Sequence, residues 1–145
     1  MAATVNLNDD ARLEGNAEKY SSRYSQIDKK SPLYGKTLYF LGSSVTRGYG
    51  ALGESLADFI SRRCGAETVV SAVDGTTLAD LSPDSYAARV LKFDKNVKPD
   101  CFVCQLSTND ARVSDKGTVT SSFDVGGVDR KTTFGAVEYI AHYVR

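Results

Sequence analysis

The chain predicts an α/β domain, a small parallel sheet with helices packed on both of its faces. Three observations carry this expectation. Short apolar runs alternate with helical patterns in the order strand, helix, strand, helix, strand, helix. Each run stops at a small polar turn: Gly42-Ser43-Ser44, then Asp74-Gly75-Thr76-Thr77, then Ser107-Thr108-Asn109-Asp110. The composition, 41% hydrophobic and 25% charged over 145 residues, is that of one globular domain. A chain of this length buries about two thirds of its unfolded surface.

Residues 1–35 read as a polar extension with tyrosines at 20, 24 and 34, and a short helix over Ala17–Tyr24 is expected to lie across the domain. Ser31-Pro32 marks a turn before the first strand, Thr37–Leu41. A helix over Ala51–Cys64 follows, because Leu52, Leu56, Phe59 and Ile60 share one face, and Gly65 suits the position just past its end. The second strand is Glu67–Val73. Residues 82–93 hold a weaker helical pattern through Tyr86, Val90 and Phe93. Lys98-Pro99-Asp100 introduces the third strand, Cys101–Leu106. The glycine-bearing loop Ala111–Lys131, about twenty residues, is long enough to suggest function. Thr132 and Thr133 can cap a last helix from Phe134 to the end. Residues 36–145 therefore read as an α/β domain cut short after its third strand and the helix that follows.

Charge and composition exclude several classes. Eighteen basic residues balance eighteen acidic ones with no basic stripe, which argues against nucleic acid or an anionic membrane as partner. No apolar run approaches the roughly 20 residues of a membrane span. The first ten residues lack a charged region followed by an apolar one, so a cytoplasmic location is expected. Three cysteines make no disulfide framework. Cys101 and Cys104 form a C-x-x-C pair, but within a strand residues three apart point to opposite faces, so both are expected as buried structural thiols. Neither a metal nor a cofactor is implied.

The three strand ends should meet at the carboxyl edge of the sheet, where open α/β sheets bind ligands. Acyl transfer needs a nucleophile and donors aimed at the developing oxyanion. Ser44 offers a hydroxyl and its own N–H, Gly75 an N–H without a side chain in the way, and Asn109 a side-chain donor. Asp110 is read as structural, holding its loop. Taken alone, Ser44 is a capping or turn serine, Gly75 a turn glycine and Asn109-Asp110 an Asx turn; it is their succession at three strand ends that points to chemistry.

Leu41-Gly-Ser-Ser-Val-Thr46, the turn glycine Gly75 and Ser107-Thr-Asn-Asp110 resemble the first three blocks of the SGNH (GDSL-type) esterases and lipases, from about Lys36 to Asp110. The resemblance implies a three-layer α/β/α, flavodoxin-like fold and hydrolysis of a small-molecule, carbohydrate or lipid ester. It implies Ser44 as nucleophile, and Ser44, Gly75 and Asn109 as the oxyanion hole. Two blocks depart from the family pattern: Ser43 stands where Asp is usual, and Ser107 where Gly is usual. The family's closing Asp-x-x-His does not occur. His142, the single histidine, follows Tyr139 by three residues and falls off the helical stripe Phe134, Val137, Ile140, Ala141, Val144, so it is expected to be solvated and paired with Glu138. The chain alone is thus expected to be nearly inactive, the N-terminal part of a larger hydrolase. An uncovered sheet edge would favour pairing with a second copy.

Two rivals stand beside this reading. Gly48-Tyr-Gly-Ala-Leu-Gly53 fits G-x-G-x-x-G with Asp74 downstream, as in a flavin- or dinucleotide-binding protein, yet it starts six residues after Gly42 rather than at the strand end. The other is a non-catalytic or degenerate hydrolase module that binds an acyl or sugar ligand without turnover.

Overall fold

In the computed structural model, which describes residues 11–94, 96–120 and 125–145, the apolar run after Lys36 becomes the central strand. This β1, Thr37–Gly42, is buried along almost its whole length. It pairs in parallel with β2, Glu67–Ala72, on one side and with β3, Cys101–Cys104, on the other, giving the order β2-β1-β3. That order, with parallel strands and covering helices, is compatible with a flavodoxin-like fold, and it places a topological switch point between β1 and β3.

Alternation along β1 divides the core. Leu38 and Phe40 face α2, Leu56–Cys64, and pack with Ala57 and Ala66. Leu41 faces the other way, onto Leu78, the short α3, Tyr86–Arg89, and α5, Thr133–Tyr143, through Tyr86, Ala87, Val90, Ala136 and Ile140. Helices therefore cover both faces, as expected. Among the described residues no helix is long and apolar enough to cross a membrane.

Several elements differ from expectation. The helix predicted from Ala51 begins at Leu56, because Ser55 and Asp58 form a capping box: the Ser55 hydroxyl accepts from the Ala57 N–H, and the Asp58 carboxylate from the Ser55 N–H. Before it, Gly48, Gly50, Leu52 and Gly53 all adopt positive φ, a path that no helix follows. The N-terminal segment is not an α-helix but three successive 3₁₀ turns, Glu14–Asn16, Glu18–Tyr20 and Ser22–Tyr24. It lies across the domain on Glu54, whose carboxylate accepts from the Ser21 hydroxyl and the Ser22 N–H at 2.7 and 2.8 Å. Residue pattern 82–93 yields only α3 and a 3₁₀ turn, Val90–Lys92. The loop after β3 opens with a one-turn helix, α4, Asp110–Val113; residues 121–124 of that loop lie outside those described.

α5 is capped as predicted, with the Thr132 hydroxyl accepting from the Gly135 N–H, but its buried face is rotated. Gly135, Ala136 and Ile140 are buried, while Phe134 and Ala141 are exposed. Small residues let this face approach closely: a methyl group at Gly135 would overlap the Asp129 carbonyl.

Candidate active site

The carboxyl edge of the sheet gathers the three predicted turns, and a chain of hydrogen bonds ties them together. At the end of β1, Gly42 has no room for a side chain, since a methyl group there would overlap Thr46. Thr46 in turn donates its hydroxyl to the Gln105 side chain, just past β3. This close turn makes Ser44 the first residue of α1, Ser44–Arg47, while Ser43 precedes it. Neither serine caps the helix with its side chain, and the Ser44 hydroxyl has no hydrogen bond among the described residues. The capping role that explains an isolated serine is therefore not the one Ser44 plays. As the first helical residue, it also carries an N–H with no intrahelical acceptor.

The turn after β2 is held from two sides. Arg47 on α1 grips the Asp74 carboxylate with two N–H groups at 2.7 and 2.6 Å. This bidentate hydrogen bond holds the Asp74 carboxyl below the usual carboxylate range. Gly75 follows at φ +72°, exposed, with open space where a side chain would stand. Behind it the Thr76 carbonyl accepts from both the Ser107 hydroxyl and the Asn109 amide, each at 2.9 Å. One N–H of the Asn109 carboxamide is thus committed to holding the turn, and the other is uncommitted. Asp110 is 2% exposed and spends its carboxylate on the Leu78 and Ala79 N–H groups at 2.8 and 3.0 Å, a structural role.

His142 belongs to the opposite end of the molecule. The start of α5 bonds to Asp115 and Lys116, just past α4 at the carboxyl edge. Its far end reaches Val97, Pro99 and Phe102, where β3 begins, through Tyr143 and Val144. The expected pairing with Glu138 is replaced: that carboxylate accepts from the Thr120 N–H and hydroxyl at 2.8 and 3.0 Å. His142 itself is exposed.

One solved structure, a crystal structure, is similar to this chain. It shares 23% identity at a TM-score of 0.60, over 79% of this chain and 52% of that one. The likeness is one of fold. The present chain spans about half the length of that protein. No family model matches the chain, and neither does any curated protein.

The Gly48–Gly53 glycines close a turn on themselves, with the Ala51 and Gly53 N–H groups both donating to the Gly48 carbonyl, so these donors are spent internally rather than presented at a strand end. Cys104 is largely buried, and burial pushes its thiol up to about 11; Cys101 is exposed, contrary to the expectation of two buried thiols, because β3 is an edge strand.

Sequence reasoning missed Tyr86 and Arg89. The Arg89 side chain lies beneath the rim at 5% exposure, and burial lowers its pKa, although a guanidinium stays charged. The Tyr86 hydroxyl, close to the Ser43 and Ser107 side chains, meets hydrogen-bond geometry with neither, and burial raises its pKa. The available signal was a charge three residues after Tyr86, on the same helical face, within the run Tyr86-Ala-Ala-Arg-Val90.

Proposed function

We propose that this chain carries the nucleophile and oxyanion-binding half of a serine ester hydrolase of the SGNH (GDSL) type. The observation that supports this most is the uncommitted Ser44 hydroxyl at the switch point, with the Gly75 and Asn109 turns tied to the same rim. In this reading the Ser44 Oγ attacks an ester carbonyl carbon. A C–O bond forms, and the carbonyl electron pair moves to oxygen. The Ser44 N–H, the Gly75 N–H and the free N–H of Asn109 receive that charge. Collapse expels the alcohol, and water then releases the acid from Ser44. A histidine oriented by an aspartate, supplied from outside these 145 residues, takes the Ser44 proton and passes it to the leaving alcohol. The substrate is a small-molecule, carbohydrate or lipid ester, and no cofactor takes part. Without its base a serine of this kind loses on the order of 10⁴–10⁶ in rate, so the chain alone turns over very slowly.

The test is Asn109→Ala in a polypeptide that includes the base. Turnover of an activated ester should fall roughly 10²–10³-fold, as for other oxyanion donors. An unchanged rate removes Asn109 from the mechanism.

The position of His142 at the opposite edge favours a second reading, a module that binds an acyl or sugar ester without cleaving it. Saturable binding of such an ester with no alcohol released, even in the longer polypeptide, would select it. Self-association through the outer edges of β2 and β3 is a further part of the proposal, and a sedimentation coefficient that stays monomeric at rising concentration would remove it.

A further inference from the structure

Arg89 is the one buried cation among the described residues. It makes no ion pair among those residues, and all five of its N–H groups face oxygen atoms. Nε donates to the Asp84 carbonyl at 2.8 Å, on its own side of the core. Nη1 donates to the Ser71 carbonyl and hydroxyl near the end of β2, at 2.6 and 2.8 Å. Nη2 donates to the Gly42 carbonyl, the last of β1, at 2.7 Å, and to the Thr76 hydroxyl at 3.3 Å. The Tyr86 ring lies against the guanidinium, 5.1 Å away. A buried cation without a carboxylate is costly, and an apolar side chain of similar volume would fill the same space without that cost. What an apolar side chain could not do is hold the ends of two strands and the turn beyond them to one rigid, planar fork.

We propose that Arg89 is the positioning residue of this site, setting the separation between the Ser44 turn and the Gly75 turn from beneath the rim. The proposal rests on the reading of that rim as an oxyanion site. Gly42 leads directly into Ser43-Ser44, and Thr76 directly follows Gly75, so the two partners of Nη2 each lie within two residues of a proposed oxyanion donor. Thr76 also accepts from Asn109, so the third donor is tied to the same fork through one residue. A lysine places a single point charge there and cannot reach both strand ends at once.

The test uses the ¹⁵N-labelled 145-residue chain as wild type, Arg89→Lys and Ser71→Ala. Resonances of Ser44, Gly75, Thr76 and the Asn109 carboxamide report on the rim; Ala57, Ala136 and Ile140 report on the two cores. In Arg89→Lys the rim resonances should move and broaden while the core resonances stay in place. Exchange of the Val73 amide, which donates to the Gly42 carbonyl, should quicken about tenfold, the worth of one hydrogen bond. Ser71→Ala, which removes one acceptor and leaves the charge, should move the same rim resonances by less. The proposal is overturned if folded Arg89→Lys leaves the rim unchanged, or if its shifts spread equally into both cores. Should Arg89→Lys not fold, Ser71→Ala decides alone: rim shifts uphold the proposal and their absence overturns it. Acetate added to the wild type separately tests the oxyanion reading. If Ser44, Gly75 and Asn109 fail to shift together, that reading falls while the variants still judge Arg89.

Discussion

The turns after β1 and β2 both depend on glycine, for opposite reasons. Gly42 is enclosed: its φ is unremarkable, but Thr46 occupies the space a side chain would need. Gly75 is open: nothing stands within 4 Å, and only its φ of +72° calls for glycine. The first turn is closed in by the buried Thr46 side chain. The second is held by one exposed ion pair, Arg47–Asp74, and by bonds to the Thr76 behind it. A rim built this way encloses the turn that carries Ser44 and leaves the Gly75 turn open to solvent.

Substitution at the two glycines exposes the contrast most strongly. Gly42→Ala should cost about 3 kcal/mol or more, since the overlap falls on a neighbouring residue's Cβ as well as its hydroxyl and cannot be relieved by rotation. Gly75→Ala should cost only about 1–2 kcal/mol, the penalty for a left-handed residue with a side chain. Urea denaturation of the two variants measures both. Equal losses would mean that the turns are held alike.

Acid probes the exposed side of the comparison. The Asp74 carboxyl is held below the ordinary value by Arg47, so its contribution to stability is fully present above the unfolded value, about 3.9. That contribution is lost only as pH falls through the lower, folded value. A ¹³C titration of the Asp74 carboxyl should therefore show a midpoint below about 3.9 in the wild type, rising towards it in Arg47→Met. A wild-type midpoint at or above that value would detach the Gly75 turn from α1. The smallest effect is expected at His142, exposed at the other end of the sheet. His142→Ala should change stability by less than about 0.5 kcal/mol and leave any Ser44-dependent reaction untouched. Loss of such a reaction would bring α5 into the site.

Much of this arrangement was legible in the sequence where one physical signal dominated. The run Leu38–Leu41, bounded by turn residues, read as a buried strand, and the turns at Gly42, Gly75 and Asn109 followed from where the apolar runs stopped. Legibility failed where two signals competed. Leu52 continues the helical stripe of α2, yet the Ser55–Asp58 cap and the glycines before it set the start. On α5 the large apolar residues drew the stripe towards Phe134 and Ala141, whereas close packing put Gly135 and Ala136 inside. Arg89 stayed hidden because a charge is ordinarily placed in solvent, and three of its five partners are main-chain carbonyls that no residue type announces.

The most direct test of the rim's chemistry is to give the chain a base from solution. The 145-residue protein is incubated with p-nitrophenyl acetate and imidazole, and peptide mass spectrometry locates any acetyl group. The mechanism proposed here predicts acetylation at Ser44 that requires imidazole and drops sharply in Asn109→Ala. Acetyl groups confined to lysines and the N-terminus, or a Ser44 signal indifferent to Asn109, would contradict it.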